Sequence, residues 1–285
     1  THLALGEEFD NIIFTNNNTV YTALQGIIEW GSDVNLWVSF VPIRENLFIL
    51  PWDLRLSLFE DLLASSFPEA GSGKPLGYHN TSAIDRFLNQ KWLTEQVDIF
   101  IIDASPSLGL LNRAILLGSD YFITPLMPDA FSLQWIENLW KTFDKWKRGW
   151  KNSARALAGS IPSDKVLSWE WLFIGYILNS YNQYADIPIK AHREWMEKIS
   201  QSVKEFLSEM HCKNWLVEKS WKTSLCDLKD YWRLPSDAQI KSKSIFELNP
   251  NEDFQSAPGT IENLNKAKEE FEALFKNIEW ILLKY

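Results

Sequence analysis

Apolar residues along this chain follow two spacings, one typical of helices and one typical of buried strands. Recurrence every three or four positions predicts helices. They cover Val20–Trp30, Leu54–Ser65, Thr81–Trp92, Ser107–Gly118, Ser132–Lys151, Pro188–Leu207 and Thr260–Leu283. Short continuous apolar runs predict buried strands. These are Leu47–Leu50, Val97–Ile102, Tyr121–Leu126 and Trp171–Leu178, with a short edge strand at Trp215–Val217.

The alternation of strands and helices predicts an α/β fold, with a mainly parallel sheet and helices on both faces. Val97–Ile102 is the strongest predicted strand, because it is β-branched and almost wholly apolar. Phe67–Ser82 is rich in Gly, Pro, Ser and Asn, which predicts an exposed loop. Ligands of such sheets lie beyond the carboxyl ends of the strands. The first candidates therefore lie in Asp103–Ser107, Leu126–Asp129 and Asn179–Gln183.

Charge and composition narrow the class of protein. The net charge of -9 over 285 residues argues against a broadly basic nucleic-acid binder, although it allows a local basic patch. Two cysteines, Cys212 and Cys226, fit a reducing cytosol, and the four histidines show no zinc-ligand spacing. No apolar run is long enough to span a bilayer, and the first residues do not form a signal peptide. We therefore expect a cytoplasmic protein.

Asp103 is the first candidate for chemistry, since it follows an apolar run and precedes Ala-Ser-Pro-Ser-Leu-Gly. A carboxylate in that position can hold a metal ion or its bound water beside phosphates. It can equally cap the helix that follows. Position along the chain leaves both interpretations open.

The longer stretch Val97–Gln134 resembles the ParA family of partition ATPases. In that family a strand ends in Asp, and a Pro-Pro-Ser-Leu-Gly turn, a helix, an Asp, a strand and a Pro-x-x-Pro segment follow. Ser105 replaces the first proline of that turn. The matching residues, in order, are Asp103, Pro106, Ser107, Leu108, Gly109, Asp120, Pro125 and Pro128. The resemblance extends over nearly the whole chain through Asn46–Asp61, Ile174–Asn179 and Leu234–Leu248.

The resemblance implies a P-loop NTPase-like fold of the ParA/MinD type and an ATPase that uses ATP and Mg²⁺. Asp103 would be the catalytic carboxylate, acting on Mg²⁺ through water, and Ala104–Gly109 would be the switch. Asn179 would read the adenine base, with Asp129 and Pro128 lining its pocket. A loop Asn forming a local turn is the alternative for Asn179. The family also implies an ATP-dependent homodimer, nonspecific DNA binding and activation by a ParB-like protein, with no membrane partner.

One part of the family pattern does not occur in this sequence. ParA-like proteins begin with a strand, a Lys-Gly-Gly-x-Gly-Lys-Thr loop, a helix and a second strand. The only Gly-Lys pair here ends at Lys74, and the flanking positions that need Gly and Ser or Thr hold Pro68 and Pro75. We therefore reject it as a phosphate loop and expect the first β-α-β unit to be absent. That absence would leave neighbouring strands with unpaired edges.

Three explanations fit this absence: a fragment of a longer ATPase, strands supplied by a partner chain, or a relative that has lost ATP hydrolysis. We favour the fragment, because the resemblance starts abruptly at Thr1. The leading expectation is one ParA-like domain over residues 1–285, acting in plasmid or chromosome partition. The alternative is a non-catalytic ParA-like scaffold. A MinD-like or polysaccharide-synthesis regulator is a third interpretation, although the run Phe275–Tyr285 favours a helix docked on the core.

A basic run that also carries tryptophans lies between Glu137 and Arg155. Its lysines and arginines would contact the DNA backbone in the functional interpretation. The other interpretation is a solvated helix face whose tryptophans pack inward. The DNA-contact candidates are Lys145, Lys147, Arg148 and Lys151, and the family resemblance adds Lys241 and Lys243.

Overall fold

The computed structural model describes residues 18–105, 107–156, 166–167, 171–181, 183–184, 187–209, 224–231, 234–254 and 258–283. It divides the chain into two compact units. The first unit is Thr1–Asp120 with Thr142–Trp171, and the second is Tyr121–Lys141 with Leu172–Tyr285. The expectation of a single domain over residues 1–285 stays a prediction.

The first unit consists mainly of helices, with one two-stranded hairpin. Its elements are α1 (Val20–Trp30), β1 (Val41–Arg44), β2 (Leu47–Ile49), a 3₁₀ turn (Leu54–Leu56), α2 (Ser57–Gly71), α3 (Pro75–Thr81), α4 (Ala83–Glu95) and α5 (Leu110–Leu117). The long helix α6 (Ala130–Ala156) begins in the second unit, and its residues from Thr142 onward belong to the first.

The second unit contains the larger sheet and the helices that cover it. Its elements are β3 (Tyr121–Leu126), β4 (Leu172–Tyr181), β5 (Gln183–Tyr184), β6 (Ile187–Pro188), α7 (Lys190–Glu209), β7 (Ser224–Lys229), α8 (Leu234–Ile240), α9 (Pro250–Asp253) and α10 (Pro258–Leu282). None of the helices in the described ranges is long and apolar enough to cross a bilayer.

The sheet of the second unit is parallel, with β4 paired to β3 on one side and to β7 on the other. Leu126 of β3 lies opposite Leu178 of β4, and Asn179 lies opposite Leu228 of β7. The register shifts near Gly175, whose φ of 139° is a conformation that residues with a side chain rarely adopt. The predicted strands β3 and β4 are confirmed, whereas β7 was not predicted.

Helices cover both faces of this sheet, as predicted. Successive strand residues point to opposite faces. Phe173 packs against Trp140 of α6, with ring centroids 5.1 Å apart. The next residue, Ile174, belongs to a buried cluster with Leu274 and Ile281 of α10. Helices α6 and α10 therefore lie on opposite faces, which confirms the predicted α/β architecture and is consistent with a P-loop NTPase-like fold.

The first unit packs around a buried aromatic group in a region that we predicted to be an exposed loop. That prediction was wrong: α2 continues to Gly71, and Pro75 then starts α3 at a position where its missing N–H costs nothing. Tyr78 of α3 is fully buried, with its ring centroid 5.1 Å from that of Trp150. The high content of Gly, Pro and Ser led us to predict a loop, whereas tertiary packing stabilises helix α3 there.

The predicted strand Val97–Ile102 is not a strand in this structure, because no other part of the described chain forms a ladder with it. Phe100 points inward and lies 6.0 Å from the ring of Phe40. Ile99 and Ile101 point the other way and are 59% and 91% exposed. The apolar pattern predicted a segment covered on both faces, but the described part of the chain covers one face of it and pairs with neither edge.

The hairpin strand β2 confirms the predicted strand at Leu47–Leu50 but not its burial. Asn46 takes a positive φ of 58° in the tight turn between β1 and β2, as Asn readily does. Leu47 and Phe48 are both about half exposed, since the hairpin has only two strands and one packed face. The predicted helices at Val20–Trp30, Thr81–Trp92 and Ser107–Gly118 are confirmed as α1, α4 and α5 with small shifts of their ends.

Helix α3 lies so close to α2 that a methyl group on Gly77 would be 2.2 Å from the backbone nitrogen of Ala70. Backbone cannot move aside as a flexible side chain can. We predict that Gly77→Ala lowers the free energy of unfolding by about 1–3 kcal/mol through overpacking. Urea denaturation followed by tryptophan fluorescence measures this change.

Gly149→Ala is the matched control, since nothing lies within 4 Å of a methyl group at that position in α6. Removing a glycine from a helix interior stabilises by about 0.5–1 kcal/mol, so this variant should be slightly more stable. Equal stability changes for the two variants would show that α3 does not pack on α2 as described.

Candidate functional site

Asp103 follows the apolar segment Val97–Ile102 in the first unit, and its side chain is exposed. It does not cap helix α5 directly, since that helix begins at Leu110 and has Gly109 at its N-cap. The capping interpretation of Asp103 therefore loses its support in this structure. The metal-binding interpretation stays a prediction. Pro106 of the predicted switch lies outside the described residues.

The turn after Asp103 is held by side chains from two helices. The buried side chain of Asn112 in α5 donates from Nδ2 to the carbonyl oxygens of Ser105 (2.6 Å) and Ser107 (2.7 Å). Glu60 of α2 accepts a hydrogen bond from the backbone N–H of Leu110 at 2.9 Å. Neither Asn112 nor Glu60 was predicted to be a site residue.

A pattern in the sequence points to Asn112 but not to Glu60. Asn112 and Arg113 are the two polar residues in the mainly apolar stretch Leu108–Leu117, and a polar side chain that is buried there needs a local partner. Glu60 lies 50 residues away from the amide it caps, and local patterns cannot identify such a contact.

In the second unit the sheet register brings the other candidates to one edge. Because Leu126 lies opposite Leu178, the residues that follow β3 and the end of β4 share the carboxyl edge of the sheet. Pro128 is buried there, and Asn179 is exposed. Asp129 caps α6, since its Oδ1 accepts from the N–H of Ser132 at 2.7 Å. The roles predicted for these residues in binding a base stay predictions.

Taken one at a time, the candidate side chains suit separate parts of a nucleotide or its metal ion. The exposed Asn179 amide has both a donor and an acceptor for a base edge. The exposed Asp103 carboxylate suits the water shell of Mg²⁺. Asp129 already uses one oxygen on the α6 cap. The chain contains no Gly-rich loop with a following Gly-Lys-Ser/Thr to hold the phosphates.

The basic run on α6 has its tryptophans inward and its cations outward. Trp150 is buried, and its indole N–H donates to the carbonyl of Leu167 at 2.7 Å. Lys145 and Arg148 are exposed, and Arg148 pairs with Asp144 one turn away. Lys147, half-buried like Lys151, lies 5.1 Å above the ring of Trp171. This arrangement suits a solvated helix face and equally a phosphate-binding face.

Lys241 and Lys243 both face the carboxylate of Asp253. Nζ of Lys243 lies 2.9 Å from Asp253 Oδ1, and Nζ of Lys241 lies 3.7 Å from it. The N–H of Asn249 and the ammonium of Lys243 lower the pKa of Asp253. These two lysines therefore organise the segment before α10, and their predicted contact with DNA stays a prediction.

A largely buried carboxylate of the first unit belongs to Asp85 of α4. Burial raises the pKa of the Asp85 carboxyl to about 6, and nearby Asp120 adds to this shift. Asn89 donates to Asp85 Oδ2 at 2.9 Å, and the charge of Arg86 also opposes the shift. Gly118 packs so closely that a methyl group there would lie 2.6 Å from the Asp85 Cβ. This carboxylate is costly to ionise in the folded protein.

Comparison with known proteins supports the predicted relation to P-loop NTPases. The family described as AAA domain matches residues 15–155, just under half of the chain. The uncharacterized protein MJECL24 of Methanocaldococcus jannaschii is 30% identical over 152 residues, which are 53% of this chain and 48% of that protein. This chain therefore spans about half the length of that relative. The similarities support a relation to P-loop NTPases and do not identify a ParA protein.

A solved structure shares the fold. Protein DIP2308 from Corynebacterium diphtheriae has a TM-score of 0.68 and covers 88% of this chain and 86% of its own. The two sequences are 20% identical, so the likeness shows the fold alone. Similarity in fold carries no specific activity to this chain.

The raised pKa of Asp85 makes the stability of the protein depend on pH. Between about pH 4 and 6 the folded state holds a proton at Asp85 that the unfolded state has lost, so this group's contribution falls as pH rises. We predict that Asp85→Asn is about 1–2 kcal/mol more stable than wild type at pH 7, after allowance for solvent screening. The difference should vanish near pH 4.

Urea denaturation from pH 4 to pH 7.5 measures this difference. Asp98→Asn is the control, because it makes the same side-chain change at an exposed position. An Asp85→Asn variant that is no more stable than wild type at pH 7 would contradict the buried position of this carboxyl.

Proposed function

We propose that this chain is part of a ParA-type ATPase that binds ATP and Mg²⁺. The proposal rests mainly on one order of elements: the apolar segment Val97–Ile102, then Asp103, then a hydrogen-bonded turn, then α5. These elements lie within a region similar to an AAA domain. The similarity to P-loop NTPases supports nucleotide and Mg²⁺ binding in general. The parallel sheet β3-β4-β7 agrees with that class of fold.

In this proposal Asp103 holds a water molecule of the Mg²⁺ shell and acts in hydrolysis. Asn179 binds the adenine edge, and Pro128 and Asp129 line the base pocket. The nucleotide holds two copies together as a homodimer, which binds DNA nonspecifically. A ParB-like partner then stimulates hydrolysis in plasmid or chromosome partition.

The exposed face of Val97–Ile102 supports the view that this chain is completed by further structure. Ile99 and Ile101 turn apolar side chains to solvent, although their β-branched pattern suits a buried strand. In P-loop NTPases a strand leads into the phosphate loop, and such a strand would pair with an apolar neighbour. We propose that residues outside this chain supply both the strand and the loop.

The non-catalytic scaffold is the second candidate function. It is favoured by the lack of a phosphate loop in the sequence and by the same exposed apolar segment, which would then dock a partner protein. Dimerisation separates the two functions. An ATPase of this type becomes dimeric only with ATP and Mg²⁺, whereas a scaffold keeps one oligomeric state with and without nucleotide.

The role of Asp103 is tested by Asp103→Asn in the native protein, with all residues that its gene encodes. We predict that the Mg²⁺ concentration for half-maximal ATP hydrolysis rises about tenfold or more, because one charge-assisted hydrogen bond is weakened. Asp98→Asn, an exposed aspartate of the same segment, is the matched control. Unchanged Mg²⁺ dependence in Asp103→Asn would remove Asp103 from the site.

The DNA-binding part of the proposal is tested by Lys145→Glu combined with Arg148→Glu. Both side chains are exposed, so the fold should tolerate the change. If they contact phosphates, affinity for random-sequence duplex DNA falls at every salt concentration, and the slope of log K against log[salt] drops by about 2. Lys190→Glu with Lys276→Glu makes the same charge change at exposed positions of the second unit. Equal losses in both double variants would indicate net charge and not a binding face.

A further inference from the structure

The carboxylate of Glu60 lies at the N-terminus of α5. Its Oε1 accepts from the Leu110 N–H at 2.9 Å. A methyl group on Gly109 would lie 2.4 Å from the same oxygen, so the carboxylate occupies the space that a side chain at 109 would need. The φ of Gly109 is an ordinary -71°. Backbone geometry at this position would accept a side chain, but a methyl group there would displace the Glu60 carboxylate from its present place.

The turn that follows Asp103 is thus fixed from two directions. Asn112 binds the carbonyls of Ser105 and Ser107 from within α5. Glu60 reaches the end of the same turn from α2. These hydrogen bonds, from Asn112 and to Glu60, are all shorter than 3 Å, and they restrict the backbone at these positions.

Helices α2 and α5 also meet through a second contact further along. The guanidinium of Arg113 lies 4.0 Å above the ring of Phe67, and 5.4 Å from that of Trp146. Burial lowers the pKa of Arg113 to about 10. The Glu60 contact is therefore one end of a longer α2–α5 interface, which holds the Glu60 carboxylate in place at the turn.

We propose that Glu60 is a positioning residue that sets the conformation of the turn after Asp103. Its importance for activity rests on the proposed ATPase function. Its effect on the turn does not. If Glu60 only capped α5, its removal would change global stability alone. If it is a positioning residue, its removal also changes the order of the turn and the Mg²⁺ dependence of ATP binding through Asp103.

Amide hydrogen exchange at Leu110 tests the Glu60 hydrogen bond at the end of the turn without any nucleotide. Glu60→Ala should speed exchange of the Leu110 amide about tenfold to hundredfold, the loss expected for a hydrogen bond to a charged group. Glu60→Gln keeps an acceptor oxygen and should rescue most of this protection. Asp61→Ala removes a carboxylate from the next, exposed position of α2 and should change nothing. Equal protection of Leu110 in wild type and Glu60→Ala would overturn the proposal.

Mg²⁺-dependent ATP binding by the same variants of the native protein tests the consequence for function. We expect Glu60→Ala to need about tenfold more Mg²⁺ for half-maximal binding and Glu60→Gln to lie near wild type. Identical Mg²⁺ dependence in all variants would contradict positioning of Asp103. If the wild-type protein binds no ATP, the proposed function fails, and hydrogen exchange alone decides whether Glu60 orders the turn.

Discussion

The pairing of β4 with a neighbour on each edge is the constraint on which the second unit depends. As the central strand of the parallel sheet, β4 has a ladder partner on each side and apolar cover on both faces. Phe173 and Ile174 point to opposite faces, so helices must pack on each. The same register that fixes these faces brings Pro128, Asp129 and Asn179 to one edge of the sheet.

The segment Val97–Ile102 has the same apolar character as β4 but not the same surroundings. Its inward side packs through Phe100, while Ile99 and Ile101 stay exposed. The exposed face of this segment bears on the proposed ATPase function. The described residues provide no ladder partner for this segment, and the sequence has no phosphate loop. In the proposed ParA-type ATPase both would belong to one β-α-β unit. Asp103 lies at the end of this segment. Glu60 and Asn112 form hydrogen bonds with the backbone of the turn that follows it.

Sequence patterns predicted those parts of the fold that depend on local spacing. Strand β3 is a short apolar run and helices α1 and α4 carry a helical period, and the structure confirms all three. Contacts remote in sequence escaped prediction, as the capping of α5 by Glu60 shows. Propensity misled in α3, where Pro75 and Gly77 suggested a loop, yet the small size of Gly77 permits close packing on α2. Apolar content alone could not show that Val97–Ile102 finds no ladder partner among the described residues, because burial depends on what lies beside a strand.

Calorimetric titration with ATP and Mg²⁺ tests the central claim most directly. It compares this chain with a version extended upstream by the residues that its own gene encodes. The account predicts that the extended version binds ATP only with Mg²⁺ and that the present chain binds weakly or not at all. Absence of binding by both forms, or a gene without an upstream phosphate loop, would contradict the ATPase proposal and favour the scaffold.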